Sequence, residues 1–79
     1  MAAQTPEAVC AAVARLLRKE REGKGLSMTE VAERAGLSQQ MVSYVERGMR
    51  NPTLDTLLRM AEALEADPAE LLRSAMNSV

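Results

Sequence analysis

The sequence predicts an all-α fold of five short helices, on three observations. Apolar residues recur every three or four positions along most of the chain, which is the period of a helix face, and no stretch alternates as a strand would. Five segments open on a Thr, Ser or Asp suited to capping a helix start. In the middle, SMTEVAERAGLSQQMVSYVER (Ser27 to Arg47) reads as two helices joined by a tight turn at Gly36, the pattern of a helix-turn-helix unit.

The elements follow in order. Met1 to Gln4 read as a frayed tail. Thr5-Pro6-Glu7 then supplies a cap, a proline at the first helical position and an acid at the positive end of a helix running to about Glu22. Val9, Val13, Leu16 and Leu17 form its apolar face, and Gly23 and Gly25 end it. Ser27 with Glu30 three residues on makes a capping box for a helix over about 28–35, with Val31, Ala32 and Ala35 inward. Gly36 stops that helix, Leu37 drops towards the core and Ser38 caps the next, over about 39–47, with Val42 and Val45 inward. Gly48 to Pro52 is a loop by composition. Thr53 caps a fourth helix, about 54–64, whose stripe is read as Leu54, Leu57, Leu58, Ala61 and Leu64. Asp67-Pro68 opens a fifth, about 68–76, carrying Leu71, Leu72, Ala75 and Met76. The 79 residues read as one domain, with a core of Leu, Val, Ala and Met because Tyr44 is the sole aromatic residue.

Composition removes whole classes of function. The chain has no histidine and a single cysteine, Cys10, which sits among Ala and Val and reads as a small apolar side chain. No metal site, nucleophile–base pair or glycine-rich phosphate loop can be assembled, so neither an enzyme nor a cofactor is expected. No apolar run reaches the length of a membrane span. The start lacks the features of a signal peptide, and a soluble, cytoplasmic, nucleoid-associated protein is expected. Net charge is −1, but it is unevenly spread. Arg15 to Arg50 hold eight cations against five carboxylates, a net of +3, while Asn51 onward holds Arg59 and Arg73 against five carboxylates. A basic front and an acidic back suit a protein that turns one side to nucleic acid; ordinary solvated helix faces would give the same charges.

The third helix carries the candidate chemistry. With Val42 inward and about 100° per residue, Gln40, Ser43, Tyr44 and Arg47 face solvent, and Gln39 lies in the first turn, the part of such a helix that enters the major groove. An amide donates and accepts together, which matches an adenine edge. Ser43 suits a base or a phosphate, and Tyr44 a phosphate or a thymine methyl. The alternative is a polar helix start with no ligand.

These features in this order resemble the phage-repressor helix-turn-helix family (Xre/Cro/cI-like) from about Leu16 to Leu72. The resemblance rests on Arg21 before Gly25-Leu26-Ser27, on EVAERAGLS, on VSYVERG and on RNPTLDTLLRMAEAL. It implies a compact five-helix lambda-repressor-like DNA-binding domain. It places Gln39, Gln40 and Tyr44 where the family reads bases, with Ser43 beside them. The amides at Ser27 and Met28 fall where the family holds a phosphate, and Arg47, Arg50 and Asn51 near its second phosphate-contacting loop. Arg21 and Glu46 match a structural ion pair between the first and third helices. Met28 departs from the family, which usually carries Gln there to grip the backbone. The expectation is that affinity leans on the Arg47 to Asn51 loop or on a dimer.

A dimer is expected on other grounds too. Met60, Leu64, Leu72, Met76 and Val79 exceed what a small core needs and read as a self-complementary patch of the fourth and fifth helices; the alternative is internal packing. A twofold pair would reach half-sites roughly 34–36 Å apart on a near-palindromic double-stranded operator. The chain ends soon after the fifth helix, so control is expected from expression level, dimerisation or another protein. The function expected is a sequence-specific transcriptional regulator, a repressor or autoregulatory controller. The competing reading is an antitoxin-like or protein-interaction module that keeps the fold with weak or no DNA binding.

Overall fold

In the computed structural model, which describes Gln4 to Ser78, the cap residues do what their chemistry predicts. Thr5 Oγ1 accepts from the Ala8 amide at 3.1 Å and starts α1 (Pro6–Gly23). Ser27 and Glu30 close a reciprocal capping box, each side chain bonded to the other's amide at 3.0 and 2.8 Å, and start α2 (Met28–Ala35). Ser38 accepts from Met41 to start α3 (Gln39–Glu46). Thr53 accepts from Thr56 for α4 (Leu54–Ala63), and Asp67 from Ala69 for α5 (Pro68–Asn77). The helices match the sequence-based bounds to within one residue at their C-terminal ends.

Gly36 adopts φ 70°, and the Leu37 amide reaches back to the Ala32 carbonyl at 2.9 Å. This left-handed stop ends α2, and after Leu37 and Ser38 the chain enters α3, which packs against α2. The turn after α4 is closed in the same way, with Ala66 bonded back to Ala61 at 2.8 Å, but its left-handed residue is Glu65, φ 54°. No glycine marks that position in the sequence.

α1 packs against α5 and α3, α2 against α3 and α4, and α4 against α5. Between them lies one core of Val13 and Leu17, Val31, Val42 and Val45, Leu57, Met60 and Leu64, and Leu71, with alanines of α1, α2, α4 and α5 filling the close approaches. Lys24 Nζ donates to the Leu64 carbonyl, tying the α1–α2 turn to the end of α4 and satisfying one of the carbonyls left open where a helix stops.

Three expectations are corrected. The inward face of α4 is Thr56, Leu57, Met60, Ala61, Ala63 and Leu64, while Leu54 and Leu58 stand in water, 68 % and 46 % exposed. Two apolar stripes overlap on this helix, and its packing against α2 and α5 selects the one through Met60. Consequently Met60 and Leu64, 0 % and 1 % exposed, belong to the protomer's own core and are not available to a dimer surface. Gln4 is not part of a loose tail, because its side-chain amide donates to the Met76 carbonyl at the end of α5. Met1 to Ala3 of the expected tail lie outside the described residues, as does Val79.

Candidate nucleic-acid interface

Burial of Val42 and Val45 fixes how α3 is turned. Gln39, Gln40 and Arg47 are exposed, and Ser43 and Tyr44 half-buried, on the side away from that core face. The third buried residue of the helix is Glu46, held by Arg21 of α1. Arg21 Nε and Nη2 donate to the two carboxylate oxygens at 2.7 and 3.0 Å, and Nη1 donates to the Leu26 carbonyl at 3.0 Å. One guanidinium thus joins α1, the lead into α2 and the inner side of α3. Its hydrogen bond to Glu46 raises its pKa above the ordinary arginine value, against the opposing effect of burial, and the charges of Glu46 and Glu22 add to the rise.

Past α3 the chain stays close to the helix. The amides of Met49 and Arg50 both donate to the Tyr44 carbonyl, at 2.9 and 3.3 Å. Arg50 brings its guanidinium carbon 5.6 Å from the centre of the Tyr44 ring, within the range of a cation–π contact. Gln40 Nε2 donates to Tyr44 Oη at 2.7 Å. Gln40, Tyr44 and Arg50, assigned separately to bases and to phosphate, form one connected surface, and the four-residue spacing of Gln40 and Tyr44 is the signal that could have foretold it. Asn51 is exposed in the same loop.

Arg18, Lys24, Arg59 and Arg73 each pair with a carboxylate on or beside their own helix. Among the described residues no such partner lies within ion-pair distance of Arg47 or Arg50. Cations beside a polar helix face, with no acid to answer them, are suited to phosphate.

At the start of α2 the picture is mixed. The Ser27 amide is taken by the Glu30 carboxylate, and Ser27 Oγ accepts from Glu30. What Ser27 can still offer is its hydroxyl proton. The Met28 and Thr29 amides stand outside the capping box, while the Met28 side chain packs against the core. Met28 therefore has only its backbone to contribute at this end. The hydrogen bond from the Ser27 amide also lowers the Glu30 pKa, and the Ser27 side chain beside the carboxylate adds to the effect.

Comparisons with known proteins give the family of the fold. A helix-turn-helix family model (HTH_3) matches residues 17–71. The chain belongs to the helix-turn-helix family. It is 50 % identical over 56 residues to an uncharacterised HTH-type transcriptional regulator of Sinorhizobium fredii, covering 71 % of this chain and 69 % of that one. It spans 39 % of the length of two longer regulators that it also matches. Among solved structures it resembles the restriction-modification controller protein C.AhdI of Aeromonas hydrophila, with TM-score 0.73 and 40 % identity over 80 % of this chain and 94 % of that one. It also resembles the clp gene regulator ClgR of C. glutamicum, with TM-score 0.82 and 31 % identity over 90 % and 92 %. This helix-turn-helix protein is a DNA-binding transcriptional regulator of the Xre-like kind, with an all-α fold. Among the described residues no helix is long and apolar enough to cross a membrane.

Proposed function

We propose that this regulator is a sequence-specific repressor or autoregulatory controller that binds a near-palindromic double-stranded operator in the cytoplasm as a homodimer. The observation that carries the reading is the polar side of α3, Gln39, Gln40, Ser43 and Tyr44, flanked by Arg47 and Arg50, which have no acidic partner among the described residues. Gln39, Gln40 and Ser43 meet base edges in the major groove, and beside them the Tyr44 ring packs on a thymine methyl. Arg47, Arg50 and Asn51 hold one phosphate stretch, and the Ser27 hydroxyl with the Met28 amide holds another at the positive end of α2. The Arg21–Glu46 pair sets the angle between these elements and touches no DNA.

The twofold partner is met by apolar side chains this protomer leaves in water. These are Leu54 and Leu58 on α4 and Met76 on α5, with half-buried Leu72 one turn before Met76.

The test is selection from a random double-stranded DNA library by the purified full chain. The expected result is a twofold-symmetric motif with half-sites about ten base pairs apart. No enrichment by protein whose helices melt cooperatively would overturn the proposal.

A further inference from the structure

Gln40 and Tyr44 stand one turn apart on α3, and the amide Nε2 of the first donates to Oη of the second at 2.7 Å. The same tyrosine ring lies against the Arg50 guanidinium, and the Tyr44 carbonyl takes the amides of Met49 and Arg50. The phenol oxygen is therefore held from two directions, by the helix that carries it and by the loop folded over its ring.

We propose that Tyr44 is a positioning residue that makes Gln40 selective for adenine. The inference rests on the reading of α3 as a base-reading helix. A free glutamine amide has two N–H donors and one carbonyl acceptor, and it can turn either end to a base. Here one N–H is committed to Tyr44 Oη. One N–H and Oε1 remain for the groove, and that pair is the complement of adenine, whose edge presents the N7 acceptor and the N6 donor. A guanine edge presents two acceptors, N7 and O6, so Oε1 would face O6, acceptor against acceptor. Without the phenol oxygen the second N–H is released and the amide turns to serve either purine. Tyr44 thus acts on specificity through Gln40, and its ring links that base-reader to the phosphate-side loop.

Tyr44→Phe separates the parts, because it keeps the ring, the Arg50 contact and the helix and removes only Oη. Binding is measured to the selected operator and to every single-base variant of it, for the wild type, Tyr44→Phe, Gln40→Ala and the double variant. Gln40→Ala identifies the base pair that Gln40 reads. At that pair the wild type should prefer adenine to guanine by about tenfold, the scale of one good bidentate contact. Tyr44→Phe should bring the ratio close to one there while leaving the ranking at other positions intact. Adding Tyr44→Phe to Gln40→Ala should change the ratio no further, the non-additive signature of one side chain acting through another. In the unbound protein, the Gln40 side-chain amide resonances should shift towards those of a free glutamine in Tyr44→Phe, a readout independent of DNA. A Tyr44→Phe profile parallel to the wild type at every position overturns the inference and leaves the regulator reading standing. So does a loss additive with Gln40→Ala, or an unmoved Gln40 amide. A folded wild type that enriches no sequence overturns both.

Discussion

Arg21 and Glu46 join α1 to α3 through two parallel hydrogen bonds, Nε to Oε2 at 2.7 Å and Nη2 to Oε1 at 3.0 Å, with the Glu46 side chain 1 % exposed. The geometry is the fork that only a guanidinium presents to a carboxylate. Its consequence is asymmetric. The net contribution of such a pair is modest, but removing one partner leaves a charge out of water with no counter-ion. Glu46→Ala should cost about 3–5 kcal/mol, a large part of the stability of a small domain. The double replacement Arg21→Met with Glu46→Leu should lie much nearer the wild type. Thermal unfolding followed by circular dichroism checks both. A single variant as stable as the double would show the pair to be unimportant. Because the folded-state pKa of Arg21 is raised, the stability linked to its charge is present at every pH below the ordinary arginine value and is lost only above it.

The left-handed residues Gly36 and Glu65 predict changes of opposite sign. Gly36 sits at φ 70° and a Cβ there would meet only the flexible tip of Arg59, at 3.4 Å, so the cost of Gly36→Ala is backbone strain and not a clash. That strain is about 1–2 kcal/mol. Glu65 already bears a similar strain at φ 54°. Glu65→Gly relieves it, less roughly 0.5–1 kcal/mol for the freedom glycine gains in the unfolded chain, and should raise the melting temperature slightly. Urea midpoints of the two variants moving in the same direction would contradict the account.

Much of this was legible in the sequence because it is decided locally. A Ser or Thr before an apolar-periodic segment bonds the third amide of its helix whatever the rest of the protein does, and Thr5, Ser27, Ser38 and Thr53 all do so. The turn at Gly36 is local too. The facing of α4 is not local. Leu54–Leu57–Leu58 and Leu57–Met60–Leu64 are equally good helical stripes, and only the packing of α4 against α2 and α5 decides between them. Glu65 escaped for a related reason, since the fold imposes a left-handed turn on a residue that carries no mark of it. In the candidate site the polar face of α3 follows from the burial of Val42 and the Gln40–Tyr44 contact from their four-residue spacing, while the Tyr44–Arg50 contact depends on where the loop after α3 returns.

Glu30 gives a pH test of the capping box. Its folded-state pKa is lowered, chiefly by the hydrogen bond from the Ser27 amide and then by the one with the Ser27 side chain. A lowered carboxylate pKa contributes stability that is complete above the unfolded value, about 4.3 for glutamate, and that is lost as pH falls through the lower folded value. Glu30→Gln keeps the hydrogen-bonding shape of the box but has no charge to titrate. The wild type should therefore be the more stable at neutral pH, and its advantage should shrink below about pH 4.3. Urea unfolding of both proteins between neutral pH and pH 3 measures the difference. An advantage unchanged across that range would show that the carboxylate charge has no part in the box.

The dimer prediction turns on which apolar side chains a protomer leaves in water. Leu58 and Met76, 46 % and 44 % exposed, lie on α4 and α5 and serve no core, so a charge at either should leave the fold intact. Burying that charge against a second copy would be costly. Leu58→Glu and Met76→Glu should thus keep the wild-type helix content and sediment as monomers at concentrations where the wild type is dimeric. They should also lose the twofold operator far more than a single half-site, because the second module no longer arrives tethered to the first. Met60→Glu is the contrasting variant. Its side chain is fully buried in the protomer, so it should unfold the chain before it alters assembly. If both surface variants sediment with the wild type as dimers, the interface lies elsewhere, and if the wild type is itself a monomer at all concentrations, the homodimer proposal fails.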